Sequence, residues 1–251
     1  MDEHENLYEK IREMLGDSHG SFSVLEHRID MDLQVEYYEC SRKLNAELDE
    51  QWALDHMQYL KEPGYSKEVK KNILARLATV DRVECYRAIE SYLEEADESL
   101  RDWALLSLNE SRMQIECKLL DENQVFISTG LGGKEKKLRY LVVLISRRRQ
   151  ELTMTQKKVI QNEFELVLKK YEAEMEEIRF SGYLATILLL LPIHHSMKSV
   201  FQEAINECNQ YGDFLNDHFI VTNVRILSFR EIEEFIEQQP ENKEWDIRGM
   251  S

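Results

Sequence analysis

Two adjacent histidines are the residues of this chain best suited to chemistry. His194 and His195 directly follow an apolar stretch, residues 183–193, that reads as a buried strand. Side chains at strand ends are favoured ligand positions in α/β folds, and imidazole titrates near neutral pH. Asp213 follows the next predicted helix and could orient one of the two rings. These three residues are therefore the candidate catalytic group.

The histidine pair does not predict a metal centre. Neighbouring residues in an extended chain point in opposite directions, so His194 and His195 cannot easily bind one ion. Neither an HxH nor an HxxxH pattern accompanies them. The sequence therefore predicts no metal site and no cofactor.

The densest basic run offers a different kind of chemistry. Arg147, Arg148 and Arg149 are consecutive, and Lys157 and Lys158 lie one turn into the following helix. Such a cluster could bind a small anion. Nucleic-acid binding requires a larger basic face or interleaved aromatic residues, and a net charge of −16 repels phosphate. The sequence thus predicts an anion site at Arg147–Arg149 and no nucleic-acid partner.

The glycine-rich segment 130–137 superficially resembles a phosphate-binding loop. In that motif Gly-Lys is followed by Ser or Thr and then by a helix. Here Glu135 follows Gly133 and Lys134, and a strand pattern comes next. The segment therefore predicts a hairpin turn between strands at 125–129 and 138–145.

Three consecutive helices are predicted at 66–80, 82–96 and 98–112. Residues 68–77 align with 99–108 at an offset of 31, which pairs Leu74 with Leu105 and Leu77 with Leu108. Repeated helices at this spacing are typical of a helical solenoid. We expect the leucines at 74, 77, 93, 105 and 108 to point inward.

The stretch from Leu93 through Asp97 and Leu100-Arg101 to Leu108 resembles a HEAT-like repeat. The resemblance covers about residues 66–120, and the frequent turn proline is replaced by Glu98 and Ser99. It implies stacked helices with an extended surface for another protein, and it implies no activity.

The second half alternates strands and helices. Strand patterns at 125–129, 138–145, 183–193 and 219–227 are interleaved with helices at 153–178, 197–211 and 228–237. The sequence predicts an α+β fold: a helical segment at 1–120, an α+β domain of ββαβαβα order at 121–238, and a flexible tail at 239–251. A mixed sheet of about four strands with helices on one face is the simplest arrangement.

Composition indicates a cytoplasmic protein. The N-terminus is acidic and lacks the apolar core of a signal peptide, and the longest apolar stretch is too short to span a bilayer. The four cysteines, Cys40, Cys85, Cys117 and Cys208, are widely spaced and predicted to be free thiols. No membrane association is expected.

Three function classes follow. The leading hypothesis is a non-enzymatic protein–protein interaction or scaffold protein, because helical repeats present large surfaces without catalytic residues. Its partner would be another protein, possibly basic, since residues 1–66 carry a net charge of −10. The alternatives are an enzyme with a dispersed site near His194, His195 and Asp213, and an acidic inhibitor or immunity-type protein.

Overall fold

The computed structural model describes residues 22–45, 49–120 and 125–238. They form two compact units that divide after Ile127. The first is helical and the second contains a sheet with helices, so the α+β prediction is confirmed. The tail expected at 239–251 lies outside the described residues.

Within its described residues, the first unit contains five α-helices and a short 3-10 helix. They are α1 (Met31–Asn45), α2 (Glu50–His56), the 3-10 helix (Met57–Lys61), α3 (Lys67–Ala78), α4 (Val83–Leu93) and α5 (Glu98–Leu120). Side-chain hydrogen bonds cap the N-termini of two of these helices. The Ser66 side chain accepts a hydrogen bond from the Val69 amide, and Asp49 accepts one from Trp52.

The three helices predicted between 66 and 112 are present. Leu74 and Leu77 are fully buried and Leu105 is 7% exposed, whereas Leu93 and Leu108 pack at the rim of the same core. The third helix continues to Leu120 because neither glycine nor proline interrupts it. The HEAT-like character of this segment stays a prediction.

A half-buried carboxyl joins α1 to α5. Glu110 accepts hydrogen bonds of 2.6 Å from the Tyr37 hydroxyl and from the Ser41 hydroxyl. The Tyr37 ring also packs edge-on against Trp103, with ring centroids 5.1 Å apart. Burial raises the pKa of Glu110, and the two hydrogen bonds only partly oppose that shift.

A two-stranded parallel pair completes the first unit. Strand β1 (Phe22–Val24) pairs with β2 (Val125–Ile127), and the Leu25 amide extends the pairing to the Ile127 carbonyl at 2.9 Å. The hairpin predicted between 125–129 and 138–145 is therefore wrong. The apolar segment at 125–127 finds its partner near the N-terminus instead, a pairing across roughly 100 residues that periodicity cannot reveal.

The second unit is built on one sheet. Its strands are β3 (Gly133–Lys134), β4 (Lys137–Ile145), β5 (Glu174–Ser181), β6 (Leu184–Pro192) and β7 (Ile220–Thr222), and its helices are α6 (Met154–Lys170), α7 (Met197–Asn209) and α8 (Phe229–Gln238). From β4 to β7 the order is βαββαβ, and β6 lies between β4 and β5. This is the split βαβ, or ferredoxin-like, arrangement.

The pairings in this sheet are antiparallel, whereas a mixed sheet would contain a parallel pair. The reason lies in the connections. Helix α6 leads from β4 to β5 past the intervening β6, and α7 leads from β6 to β7 past β4. Strands joined by a helix run parallel without being neighbours.

Strand β5 replaces the end of a predicted helix. The capping box of Thr153 and Gln156 starts α6 as expected, but the helix ends at Lys170 instead of continuing to 178. Glu172 then takes a left-handed conformation with φ 54°, which reverses the chain into β5. Glycine usually marks such a stop, and a glutamate there gives no sequence signal.

Both faces of the sheet are covered at their centre. Leu141, Val143 and Ile145 share a cluster with Ile232 and Ile236 of α8. The alternate residues of β4 face the other side, where α6 and α7 pack together. Helices thus lie on both faces, not on the single face predicted, because α8 carries its own apolar stripe.

No helix in the described ranges is long and apolar enough to cross a membrane.

The four cysteines are expected to differ in reactivity. Cys85 and Cys208 are fully buried, and burial raises their thiol pKa to about 11 and about 12. Cys40 and Cys117 are partly exposed. Because the thiolate is the reactive form, a thiol reagent at pH 8 should modify Cys40 and Cys117 first and the other two only after unfolding. Mass spectrometry after timed alkylation measures this order, and equal rates at the four sites would contradict it.

Candidate functional site

The candidate catalytic residues lie at opposite ends of the sheet. In the β4–β6 register Lys137 pairs with Pro192, and Ile145 pairs with Leu184. His194 and His195 follow β6 at the first end, whereas Asp213 lies near the second, beyond the C-terminus of α7. Eight strand residues span roughly 26 Å. Asp213 therefore cannot orient either imidazole, since α7 carries the chain away from the histidines.

Asp213 instead binds one of the three arginines proposed to bind an anion. The Arg147 guanidinium lies 2.9 Å from Asp213 Oδ1 and 2.9 Å from Asp217 Oδ1. The Arg147 amide donates to the Phe214 carbonyl at 2.8 Å. The Arg147 charge is thus compensated within the protein, and Arg148 and Arg149 remain exposed beside it.

At the other end, the histidines belong to a small polar cluster. The His195 ring packs edge-on against Tyr171 at 5.1 Å and lies 4.1 Å from the His194 ring. The Tyr171 hydroxyl donates to Glu203 at 2.7 Å, and Lys170 Nζ donates to the same carboxylate at 2.8 Å. We call these five residues the histidine corner.

Burial and neighbouring charges shift the pKa values of His195, Tyr171 and Glu203. Burial, assisted by the neighbouring His194, lowers the pKa of His195, although Glu172 opposes the shift. The hydrogen bond to Glu203 raises the pKa of Tyr171, and Lys170 lowers that of Glu203. His195 is therefore a neutral hydrogen-bonding group at neutral pH, and Tyr171 keeps its proton.

Lysines from three separate segments surround this corner. The β3–β4 hairpin is held beside it because the Ile193 amide donates to the Lys136 carbonyl at 3.3 Å. Helix α6 ends there and α7 begins there. We call the resulting group the basic edge: Lys134, Lys136, Lys137, Lys169, Lys170 and Lys198.

Four glutamates at the same edge compensate only part of this charge. Glu174 lies 2.5 Å from Lys137 Nζ and 4.0 Å from Lys134 Nζ, and Glu203 binds Lys170. Glu135 and Glu172 complete the acidic group. Lys136, Lys169 and Lys198 are exposed. The basic edge therefore keeps a small positive excess in addition to its two histidines.

The basic edge belongs to the less acidic unit of the chain. Residues 128–238 contain 15 Lys and Arg against 16 Asp and Glu, a net charge of −1 out of −16 for the whole sequence. The strongly negative net charge of the whole chain thus conceals a nearly neutral unit. Sequence reasoning missed the edge because its lysines come from three segments that only the fold brings together.

A charged strip continues from this edge across one face of the sheet. Arg139 forms a two-pronged ion pair with Glu176, at 2.5 Å and 2.8 Å, and also donates to the Leu131 carbonyl at 2.7 Å. Because side chains alternate along β4, Lys137, Arg139 and Leu141 share this face. Polar groups therefore lead from the basic edge towards the apolar part covered by α8.

No group of His, Cys, Asp and Glu within the described residues could hold a metal ion.

Comparison with known proteins gives weak structural similarities. No protein-family model matches the chain, and no curated protein matches it. A candidate transposase from Deinococcus radiodurans R1 is similar over 41% of this chain and 91% of its own, with 16% identity and a TM-score of 0.36. A REP-associated tyrosine transposase bound to a REP hairpin is similar over 41% of this chain, with 14% identity and a TM-score of 0.32. This chain spans 64% of that second structure.

These neighbours correct two predictions. The prediction of a non-enzymatic interaction or scaffold protein is contradicted, because both solved structures are described as transposases. The prediction that nucleic acid is not a partner is contradicted by the neighbour bound to a REP hairpin. Similarity at this level transfers no activity or residue role to this chain.

Proposed function

We propose that this protein binds nucleic acid, and that the basic edge of its ferredoxin-like unit contacts the phosphate backbone. The observation that carries the proposal is the convergence of six lysines and two histidines from three segments at one end of the sheet. Lysine is a general phosphate-binding residue, and phosphate contacts supply most of the sequence-independent affinity.

The distribution of charge supports this choice of surface. The 22–127 unit contains 13 Lys and Arg against 23 Asp and Glu in the sequence, so it repels phosphate. An approaching strand is therefore steered to the 128–238 unit. Within that unit Lys136, Lys169 and Lys198 are exposed, so a nucleic-acid backbone can approach this edge of the sheet.

The histidine corner fits the same role. A neutral His195 and the Tyr171 hydroxyl can exchange hydrogen bonds with sugar or phosphate oxygens, which are contacts that position a strand without reading its sequence. Lowering the pH should protonate His195 and strengthen binding to phosphate.

Two earlier expectations remain part of the proposal. Residues 66–120 would form a HEAT-like repeat, supported by the buried leucines of α3 and α5. A cytoplasmic location is supported by the four cysteines being free thiols.

The test is a triple charge reversal, Lys136→Glu, Lys169→Glu and Lys198→Glu. Fluorescence anisotropy with a labelled 20-nucleotide single strand and a DNA hairpin should show salt-dependent binding by the wild type. Each lost phosphate contact should reduce the slope of log K against log salt by about 1 and weaken binding at low salt.

A matched control changes the same kind of charge elsewhere in the unit. Arg230→Glu alters an exposed arginine of α8 whose partner is Glu234. We expect it to bind like the wild type. The proposal fails if the wild type shows no salt-sensitive binding, or if the triple variant binds as tightly as the control.

A further inference from the structure

A pocket lies on the same sheet face as the charged strip. Its volume is about 190 Å³, below the range of roughly 300–1,000 Å³ typical for drug-sized ligands. Leu141, Thr186 and Leu188 of the sheet form its floor, and Ile226 and Phe229, just before and at the start of α8, line it as well. The size suits one small ring system.

The floor contains one hydroxyl in an otherwise apolar row. Thr186 is 5% exposed, and it is the polar residue in a row with Leu184 and Leu188 on the face that packs against α8. Thr186 also lines the pocket. A hydroxyl in such a position can exchange hydrogen bonds with the polar edge of a ligand, whereas the leucines beside it offer only apolar contact.

The rim supplies further polar groups. Glu177 and Arg179 line one side, and Arg179 Nε lies 2.7 Å from Glu177 Oε1. Both side chains are partly exposed, so either can turn towards a ligand edge. The pocket thus combines apolar surfaces above and below with donors and acceptors around the edge, which is how proteins bind an unstacked base.

The pocket also lies within reach of the basic edge. Leu141 in its floor follows Arg139 at two residues along β4, roughly 7 Å away on the same face. A strand whose backbone crosses the basic edge can therefore extend over Lys137 and Arg139 and place one base beside Thr186.

We infer that this pocket receives a single unpaired nucleobase, with the Thr186 hydroxyl hydrogen-bonded to its polar edge and Leu141, Leu188 and Phe229 contacting its faces. The inference rests on the proposed function for its biological setting, but the pocket can be tested without a bound strand.

The experiment uses the full chain and free nucleosides. Methyl NMR of the wild type is recorded during titration with adenosine, guanosine, cytidine and thymidine in turn. At least one nucleoside should shift the Thr186, Leu141 and Leu188 methyl signals. In Thr186→Val, which keeps the shape and removes the hydroxyl, the same nucleoside should bind about 3- to 10-fold more weakly.

The controls separate this inference from the proposed function. Thr155→Val makes the same change on the exposed surface of α6 and should leave nucleoside binding unchanged. Thr186→Val should unfold at a temperature close to that of the wild type, because it keeps the shape of the side chain in an apolar row between Leu184 and Leu188. Absence of pocket shifts with all four nucleosides, or equal affinity in Thr186→Val, overturns the inference while oligonucleotide binding at the basic edge can still stand. Pocket shifts without oligonucleotide binding support the pocket and reject the proposed function.

Discussion

Leu105→Ala should lower the free energy of unfolding by about 2–5 kcal/mol. Leu105 lies on α5 and belongs to the core that also contains Leu74 and Leu77. Truncation removes apolar contacts and leaves a cavity between helices whose backbones cannot close it fully.

The control for this prediction lies on the same helix. Leu119 is 77% exposed, against 7% for Leu105. Leu119→Ala should change stability by less than about 0.5 kcal/mol. Urea unfolding followed by far-UV circular dichroism measures both variants. Equal losses would show that α5 does not bury the face that carries Leu105.

The second large effect concerns Glu110, whose removal leaves buried hydroxyls unpaired. Glu110→Ala should cost about 1–3 kcal/mol for each of Tyr37 and Ser41 that loses its acceptor. Glu110→Gln keeps an acceptor and removes the charge, so it should be at least as stable as the wild type at pH 7.

The direction of the pKa shift of Glu110 predicts how the stability of the protein changes with pH. Burial raises the pKa of Glu110 in the folded state above its value in the unfolded state. The stability that Glu110 contributes to the folded state is therefore fully present below the unfolded-state pKa, and it is lost as pH rises through the folded-state pKa. The stability of the wild type minus that of Glu110→Gln should therefore fall from pH 4 to pH 8. A constant difference would mean that Glu110 titrates as an exposed carboxyl does.

The helices could be read from the sequence where local signals agree. Ser66 and the capping box of Thr153 and Gln156 mark the starts of α3 and α6, and leucine spacing marks the buried face of α5. These signals involve residues that are close together in the sequence, so they do not depend on how distant segments pack. The buried strand β6 was equally visible because it is continuously apolar.

The errors arose where distant residues decide the outcome. The acidic segment at 172–177 has the composition of an exposed helix, yet pairing with β6 makes part of it a strand. That missed strand hid the ferredoxin-like order. The direction of α7 then decided that Asp213 reaches Arg147 instead of the histidines.

The candidate site was only partly accessible to sequence reasoning. His194 and His195 were identified from their position after a strand, but Tyr171 and Glu203 join them only through packing of α6 against α7. Thr186 looks like an ordinary member of an apolar run. Its place in the pocket becomes apparent only when strand alternation puts it on the face that packs against α8.

The pairing of β1 with β2 has a consequence for synthesis of the chain. Phe22 bonds to a strand that begins at Val125, so the first strand has no partner until about 100 further residues have been made. Helices α1 to α5 can form and begin to pack as they emerge from the ribosome, but the unit closes only afterwards. At the elongation rates typical of cells, about 5–20 residues per second, the exposed edge of β1 waits for several seconds. During that interval this short edge is the part of the unit open to pairing with another chain.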